Sequence, residues 1–203
     1  MRVIAGRARR LNLVTVPGPD TRPTTDRIKE TLFNILQPDI PGCRFLDLFA
    51  GSGAVGIEAL SRGAEQAVFV ENDPRAVRCI RENLRTTRLE KEARVLDCTA
   101  ASALTRLERE GRPFDVIFMD PPYNQDWEKQ VLYSLSQSVL ANTDTLIVVE
   151  ASLETDLSCA GEWGYRICRS KKYKTNQHIF LMKEERDFHE PSGGEDRHLP
   201  GEL

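Results

Sequence analysis

The segment from Cys43 to Gly56 constrains the fold of this chain more than any other. A short apolar run that ends on Asp47 leads into a glycine turn, and helix-forming residues begin at Ala54. This order predicts a strand, a tight loop and the N-terminus of a helix. Three glycines share the G-x-G-x-x-G spacing of nucleotide-binding loops: Gly51, Gly53 and Gly56. Glu71 follows at about 20 residues, the distance expected of a ribose-binding acid, so the segment predicts a nucleotide-type cofactor site.

The charge beside this loop distinguishes two kinds of cofactor. A dinucleotide would place its diphosphate on the backbone N–H groups of the loop, where the carboxylate of Asp47 would repel it. The same carboxylate suits S-adenosylmethionine, whose methionine end is cationic, and Glu71 can accept hydrogen bonds from its ribose. The alternative is a tight strand-to-helix turn that Asp47 merely caps. We expect the following residues to surround S-adenosylmethionine: Asp47, Phe49, Ala50, Gly51, Ser52, Gly53, Glu71, Asn72, Asp97, Cys98 and Asp120.

Strand-like and helix-like segments alternate after the glycine loop. Strands are predicted over residues 66–71, 93–97, 114–120 and 145–150, and helices over residues 54–62, 74–85, 100–110 and 127–140. Two more strand-like runs, 165–168 and 178–182, follow each other without a helix between them. The pattern predicts an α/β fold with a mostly parallel sheet, helices on both faces and an antiparallel edge.

Three of the predicted strands end on an acid, namely Asp47, Glu71 and Asp97. Ligands of open α/β sheets bind outside the carboxyl ends of the strands, so we expect these acids to converge on one crevice. Asp47 would face the methionine amine, Glu71 the ribose and Asp97 the adenine amine. Each acid could instead be a helix cap.

The fourth strand of this series leads directly into Asp120-Pro121-Pro122-Tyr123. Two consecutive prolines fix the backbone and remove N–H donors, so the carbonyl groups here are rigid acceptors. We expect Asp120 and the Pro121 carbonyl each to accept one hydrogen of an exocyclic amine, while Tyr123 stacks on the base. A proline turn after a strand is the alternative for these four residues alone.

The N-terminal residues 1–21 predict a basic β-hairpin arm and a linker. Two β-prone runs flank a turn at Gly6-Arg7, and the first ten residues contain four arginines and no acid. Such a density of cations favours phosphate, although a solubilising strand is the alternative. A helix capped by Thr24 or Thr25 is expected next. Its apolar face is predicted from Ile28, Leu32, Ile35 and Leu36, and its exposed start from Arg22, Arg27 and Lys29.

Length and composition limit the remaining possibilities. The 203 residues suit one domain, and the five cysteines have neither disulfide nor zinc-ligand spacing, so no metal is expected. The chain has no long apolar run and no signal-peptide pattern, which predicts a cytoplasmic protein without a membrane partner. Residues 184–203 carry a net charge of −5 and predict a disordered acidic tail, which leaves residues 1–183 mildly basic.

These motifs together resemble a known family. D-x-F-x-G-x-G over residues 47–53, followed by D-P-P-Y over residues 120–123, is similar to the motif pair of class I (Rossmann-like) S-adenosylmethionine-dependent methyltransferases that modify planar amino groups. Residues 22–34, 46–53 and 58–64 resemble the RsmD-type bacterial 16S rRNA (guanine-N(2))-methyltransferases. The resemblance covers about residues 1–183. It departs from the family at Arg10, where the arm of the family usually has a glycine, and at 174–176, where the closing hairpin usually has one.

The resemblance implies a seven-stranded sheet and a methyltransferase domain over residues 22–183. It implies methyl transfer to the 2-amino group of a guanine in small-subunit ribosomal RNA, with free RNA or an assembling subunit as the partner and the enzyme a monomer. The catalytic residues would be Asp120, Pro121, Pro122 and Tyr123. The residues expected to hold RNA are Arg2, Arg7, Arg9, Arg10, Arg22, Thr24, Arg27, Lys171, Lys172 and Lys174.

Three other functions share part of the pattern. A DNA adenine methyltransferase would have D-P-P-Y but usually carries a sizeable target-recognition insertion, for which the connections here are too short. A protein glutamine methyltransferase normally has Asn at the first position of the tetrapeptide. A non-catalytic RNA-binding assembly factor would leave the acids and glycines of the cofactor motifs unexplained.

Overall fold

The computed structural model describes residues 1–16, 26–122 and 125–185. Its helices are α1 (Asp26–Ile35), α2 (Ala54–Ser61), α3 (Pro74–Thr87), α4 (Ala100–Glu108) and α5 (Trp127–Ser136). Its strands are β1 (Arg44–Leu48), β2 (Gln66–Glu71), β3 (Ala93–Asp97), β4 (Val116–Met119), β5 (Leu146–Ser152), β6 (Tyr165–Lys172) and β7 (Asn176–Lys183). Short 3₁₀ helices lie at Glu90–Glu92 and Ser158–Trp163. Most of the predicted tail lies outside the described residues.

The seven strands form one sheet in the order β3-β2-β1-β4-β5-β7-β6. The five strands β1 to β5 pair in parallel, whereas β7 pairs antiparallel with both β5 and β6. The predicted α/β fold with a mostly parallel sheet and an antiparallel edge is therefore confirmed. The strand order reverses direction between β1 and β4, and this switch point is where ligands of doubly wound sheets bind.

Alternate residues of the central strands belong to two separate hydrophobic cores, one on each face of the sheet. Phe45, Phe69 and Phe118 point to the face covered by the N-terminal arm, α1, α2 and α3. Leu46 and Ile117, one residue away in each strand, point to the face covered by α4 and α5. Because successive side chains of a strand alternate between faces, strands covered on both sides are apolar throughout. The sheet is therefore a central layer between two cores.

Element boundaries follow local capping signals. The bounds of β2 and β3 are as predicted, and α3 begins at Pro74 behind Asp73, whose side chain accepts a hydrogen bond from the N–H of Arg75 at 2.8 Å. Helix α3 ends two residues later than predicted, where Arg88 takes a left-handed conformation with φ of 58°. Helix α5 ends at Ser136, short of the predicted residue 140.

The N-terminal arm, residues 1–16, is a hairpin with a single antiparallel bridge, between Arg2 and Asn12. Its backbone closes through the N–H of Val3, which donates to the carbonyl of Leu11 at 2.9 Å. Arg10, at the position of the expected glycine, has φ of 72° and so keeps the left-handed turn without a glycine. Three arm residues are buried in the core on the α1 to α3 face: Val3, Ala8 and Leu13. The arm is thus an integral part of that core.

The prediction that Lys29 lies exposed at the start of its helix is wrong. Its side chain is fully buried, and Nζ donates to the carbonyl of Arg2 at 2.7 Å and lies 3.4 Å from the carboxylate of Glu58. Burial lowers the pKa of Lys29, while Glu58 raises it. The buried stripe of α1 consists of Lys29, Leu32 and Phe33 and continues into Leu36, just after the helix. This stripe has helical spacing but is rotated by about one residue from the predicted one, because the arm covers that side of the helix.

Two negative findings apply to the described residues. No helix among them has the length and apolar character needed to cross a membrane. No cluster of three or more His, Cys, Asp or Glu side chains in residues 1–16, 26–122 and 125–185 is arranged to hold a metal ion.

Candidate active site

Asp47 and Asp120 flank the switch point of the sheet. Asp47 pairs with Phe118 in the register of β1 and β4, and Asp120 directly follows β4. The negative charge of Asp47 is among the causes that raise the pKa of Asp120, after burial and Glu150. The fold therefore brings the acid predicted for the cofactor close to the acid predicted for the target amine.

Asp47 is a carboxylate buried at 1% exposure. Its Oδ2 accepts a hydrogen bond from the N–H of Gly56 at 2.9 Å. Burial raises the pKa of Asp47 to about 7, with a further rise from Glu71 and an opposing effect of the Gly56 N–H. No cation is among the described groups that influence this pKa. A buried acid without a cationic partner is a natural place for the ammonium group of a ligand.

The glycine loop requires backbone conformations that most residues avoid. Gly51 and Gly53 have φ of 55° and 77°, and Phe49 just before them has φ of 62°. A non-glycine residue in this region is strained, and such strain concentrates at functional sites. The ring of Phe49 lies 6.2 Å from that of Trp127, at the start of α5. The loop therefore sits between the ends of β1, α2 and α5.

Gly56 is required for a different reason. A Cβ atom at this position would lie 2.4 Å from Cε1 of Phe69 and 3.1 Å from Oδ2 of Asp47. The absence of a side chain lets α2 approach β1 and β2 closely enough for its N–H to reach Asp47. The third glycine of the motif thus fixes the position of the buried acid.

Glu71 organises the loop in addition to any role toward a ligand. Its Oε2 accepts from the N–H of Gly51 at 2.8 Å, and its Oε1 accepts from Asn72 and Asp73 at 2.8 Å each. Carboxylate oxygens each have two acceptor positions, so Oε2 retains one for a further donor. The ligand contact is predicted from the sequence, whereas the three backbone contacts are not.

Asp97 ends β3 opposite Glu71 and is exposed at the same edge. It does not cap the following helix, because the side chain that accepts from the first turn of α4 is that of Thr99. The N–H of Cys98 donates to the carbonyl of Glu71 at 3.1 Å. The third acid and its neighbour therefore lie beside the second, as expected for residues around an adenine.

Asp120 is partly buried, Pro121 is buried and Pro122 is exposed. The pKa of Asp120 is raised well above its ordinary value, first by burial and then by the charges of Glu150, Asp47 and Glu128. This carboxyl group therefore holds a proton at a pH where an ordinary aspartate is ionised. Tyr123 lies outside the described residues.

A buried polar network that is not predicted from the sequence lies beside Asp120. Glu150 of β5 is one position beyond Val149, the partner of Met119, and so lies next to Asp120. Its Oε2 is 3.0 Å from Nε2 of the fully buried His178, and its Oε1 accepts from Asn176. The network continues from His178 Nδ1 to the Tyr173 hydroxyl at 3.2 Å. Glu150 ends the predicted strand 145–150 as Asp120 ends the predicted strand 114–120, which is the signal that could have revealed it.

The cations expected to hold RNA lie in two groups. The first is exposed on the N-terminal arm and α1 and consists of Arg2, Arg7, Arg9, Arg10 and Arg27. Two of them make ion pairs, Arg2 with Asp26 at 3.2 Å and Arg7 with Glu92 at 2.9 Å. The second group is exposed on β6 and the turn after it and consists of Lys171, Lys172 and Lys174. Arg22 and Thr24 lie outside the described residues.

The second group lies at the same edge of the sheet as Asp47 and Asp120. Asn176, the first residue of β7, pairs with Ser152, the last residue of β5. The turn between β6 and β7 is therefore at the carboxyl end of the parallel strands. A doubly wound sheet with acids at the ends of three neighbouring strands and Asp-Pro-Pro after the fourth has the fold of a class I, S-adenosylmethionine-dependent methyltransferase.

Comparison with known proteins agrees with this class. The model of the family described as Conserved hypothetical protein 95 matches residues 1–182. The chain is 43% identical over 157 residues to YlbH of Bacillus subtilis (strain 168), covering 77% of this chain and 85% of that protein. It is 38% identical over 157 residues to ribosomal RNA small subunit methyltransferase D of Escherichia coli (strain K12), covering 77% of each chain. The solved structure of yhhF from Escherichia coli superposes with a TM-score of 0.77 at 34% identity, covering 91% of this chain and 98% of that one.

This chain belongs to the Conserved hypothetical protein 95 family, the RsmD-type methyltransferases. The family expected from the motifs is therefore confirmed.

Proposed function

We propose that this protein transfers a methyl group from S-adenosylmethionine to the exocyclic 2-amino group of a guanine in small-subunit ribosomal RNA. The observation that carries the proposal is the meeting of Asp47 and Asp120 across the switch point of the sheet. The protein acts as a cytoplasmic monomer, on the free RNA or on an assembling subunit.

The cofactor side of the site fits S-adenosylmethionine. Buried Asp47 receives the ammonium group, the loop from Phe49 to Gly53 borders the ligand, and Glu71 uses its remaining acceptor position for the ribose. Asp97 and Cys98 border the adenine. When bound, the cofactor supplies an electrophilic methyl carbon on its sulfonium. The diphosphate of a dinucleotide would instead meet the buried carboxyl group of Asp47, whose pKa is raised to about 7. This disfavours a dinucleotide as the cofactor.

The target side of the site suits an amine. Asp120 and the rigid carbonyl of Pro121 accept the two hydrogens of the amino group and orient its lone pair, and Tyr123 stacks on the base. The nitrogen would form the new N–C bond as the bond between the methyl carbon and the sulfonium sulfur breaks, with that electron pair staying on the sulfur, and the nitrogen would then lose one proton. Asp120 can receive that proton, since a carboxyl group with a raised pKa is a better proton acceptor once it is ionised. Holding both reactants in attack geometry supplies most of the gain, on the order of 7–11 kcal/mol.

The substrate is bound through its backbone and an exposed base. The arginines of the arm and the lysines of the turn between β6 and β7 hold phosphates, and the guanine is splayed out of its stack to reach Asp120. Support for ribosomal RNA as the substrate comes from the identity with ribosomal RNA small subunit methyltransferase D.

A methyl-transfer assay with tritiated S-adenosylmethionine tests the proposal. The purified protein is given small-subunit rRNA, assembled subunits, DNA or bulk protein, and the labelled product is digested and identified. The expected result is N2-methylguanosine from the RNA or the subunit. Label in DNA adenine or in protein glutamine would replace the proposed substrate by one of the alternatives. Cofactor binding without transfer to any of these substrates would favour a non-catalytic assembly factor.

A further inference from the structure

Asn83 of α3 connects the N-terminal arm to the cofactor loop. Its side chain is buried at 1% exposure, and its Oδ1 accepts from the N–H of Val14 at 2.8 Å. Its Nδ2 donates to the carbonyl of Val14 at 2.9 Å and to the carbonyl of Ser52 at 2.9 Å. One amide therefore satisfies two backbone groups of the arm and one of the loop.

Both segments depend on outside contacts for their conformation. Ser52 lies between Gly51 and Gly53, which have positive φ angles and little conformational preference of their own. The arm has a single β-bridge, too few ladder contacts to hold it in place alone. Asn83 is thus a common support for two segments that would otherwise be ordered separately.

The opposite end of the arm is held by α2, at a distance from the loop contact. Glu58 accepts from the N–H groups of Ile4 and Ala5 at 2.8 and 3.0 Å. Ser61 accepts from the N–H of Ala8 at 3.0 Å and donates to the carbonyl of Ala5 at 2.6 Å. These contacts place the arginine-bearing turn of the arm without touching Ser52. They provide a comparison for the role of Asn83.

We propose that Asn83 is a positioning residue that couples RNA binding on the arm to cofactor binding in the glycine loop. The proposal rests on the proposed function, since it requires that the arm holds RNA. A ligand that orders one segment also orders Asn83. The second ligand therefore loses less conformational entropy when it orders the other segment. Because such coupling is reciprocal, each ligand should raise the affinity for the other by the same factor.

The test measures S-adenosylmethionine affinity by calorimetry with and without saturating small-subunit rRNA, and RNA affinity with and without the cofactor. In the wild-type chain we expect each ligand to strengthen the other about 5-fold or more. Asn83→Ala should weaken cofactor binding in the absence of RNA and reduce the coupling factor to about 1, the value for independent sites. Val14→Pro removes the N–H group that donates a hydrogen bond to Asn83 and leaves α3 unaltered. It should also lower the coupling factor.

Two control variants separate positioning from stability. Thr87 is buried one turn further along α3, and its hydroxyl donates to the carbonyls of Asn83 and Leu84 within the helix. Thr87→Ala should lower the melting temperature but leave cofactor affinity and coupling intact. Ser61→Ala should weaken RNA binding while leaving cofactor affinity without RNA unchanged.

The outcomes distinguish this proposal from the proposed function. Unchanged coupling in both Asn83→Ala and Val14→Pro, or an equal loss in Thr87→Ala, would overturn the role of Asn83. Independent binding of the two ligands to the wild-type chain would also overturn it and leave the proposed methyl transfer intact. A wild-type chain that binds the cofactor but no ribosomal RNA would instead contradict the proposed function.

Discussion

At the scale of single residues, the charge of Asp47 lowers the stability of the ligand-free protein but favours binding of the cofactor. Its pKa of about 7 in the folded protein is above the ordinary value of 3.8, so the folded state binds a proton that the unfolded state has already released. The stability from this proton is complete below about pH 4 and is lost as the pH rises through about 7. At neutral pH the ligand-free protein therefore bears the cost of a buried charge that the cofactor can offset.

Replacing Asp47 by Asn tests whether its charge lowers stability and favours cofactor binding. The amide oxygen can still accept from the N–H of Gly56, so the loop is kept while the charge is removed. We expect the free energy of unfolding of the ligand-free variant to fall less than that of the wild type between pH 5 and pH 8, measured by urea denaturation. Calorimetry should show about 10-fold or more weaker binding of S-adenosylmethionine. The exposed Asp144→Asn serves as control, and equal pH dependence of Asp47→Asn and wild type would refute the assignment.

Arg10 combines a cationic side chain with a strained backbone. A φ of 72° destabilises the folded state by about 1–2 kcal/mol when the residue has a side chain. Glycine removes this strain but loses more conformational entropy on folding, so the net gain is smaller. Arg10→Gly should therefore raise the free energy of unfolding by about 0.5–1 kcal/mol and weaken RNA binding. Arg9→Gly, at a residue without a positive φ, should lower stability while removing the same charge. A destabilised Arg10→Gly variant would show that the turn is not strained.

At the scale of elements, the packing of α2 on the sheet depends on Gly56. Gly56→Ala places a methyl group against Phe69 and Asp47, so α2 must move away and the N–H to Asp47 contact must lengthen. We expect a loss of about 1–3 kcal/mol in the free energy of unfolding, together with weaker cofactor binding. Gly161→Ala, where a Cβ would meet no atom within 4 Å, should be nearly neutral. Thermal melts and calorimetry on both variants check this, and a fully stable Gly56→Ala would contradict the close packing.

The elements themselves were largely predictable from local signals. The bounds of β2 and β3 follow from apolar runs that end on an acid, and the start of α3 follows from Asp73 and Pro74. The placement of Asp47 and Asp120 at the same edge of the sheet follows from the alternation of strands and helices, whereas the strand order does not. The predictable features are encoded within short stretches of chain, so the sequence reveals them.

Contacts between distant segments were not predictable. Lys29 and Glu58 meet 29 residues apart because the arm covers α1, and Asn83 meets Val14 across 69 residues. Glu150 and His178 meet only because β5 and β7 pair antiparallel in one particular register. A single sequence contains no local signal for such pairs. The residues that support the candidate site therefore had no signal in the sequence, whereas its proposed motif residues did.

At the scale of the whole molecule, the charge distribution governs binding of a polyanion. The net charge of −3 includes the acidic residues after 183, whereas the arm and the turn between β6 and β7 present exposed cations. Contacts to phosphates release counterions, so their number sets how steeply affinity falls with salt. The number of phosphate contacts that the proposed RNA surface makes can therefore be measured from the salt dependence of binding.

Removing three arm cations tests this surface. Replacing Arg7, Arg9 and Arg10 together by Ala should lower RNA affinity and reduce the slope of log affinity against log salt by up to ~0.7–0.9 per lost contact. Cofactor affinity without RNA should be retained. A charge-matched control replaces three exposed arginines near α4, on the other side of the sheet: Arg106, Arg109 and Arg112. If both triple variants show the wild-type slope in filter binding, the arm is not an RNA surface.

The central claim is that cofactor and target amine are held by different acids that meet at the switch point, and Asp120→Ala tests it most directly. Binding of S-adenosylmethionine, measured by calorimetry, should be nearly unchanged, while methyl transfer to small-subunit rRNA should fall by about 100-fold or more. Asp120→Asn should keep more activity, since its amide oxygen still accepts from the amine, but should lose the rise of kcat with pH that ionisation of Asp120 produces. An Asp120→Ala variant that transfers methyl groups at the wild-type rate, or that no longer binds the cofactor, would contradict the account.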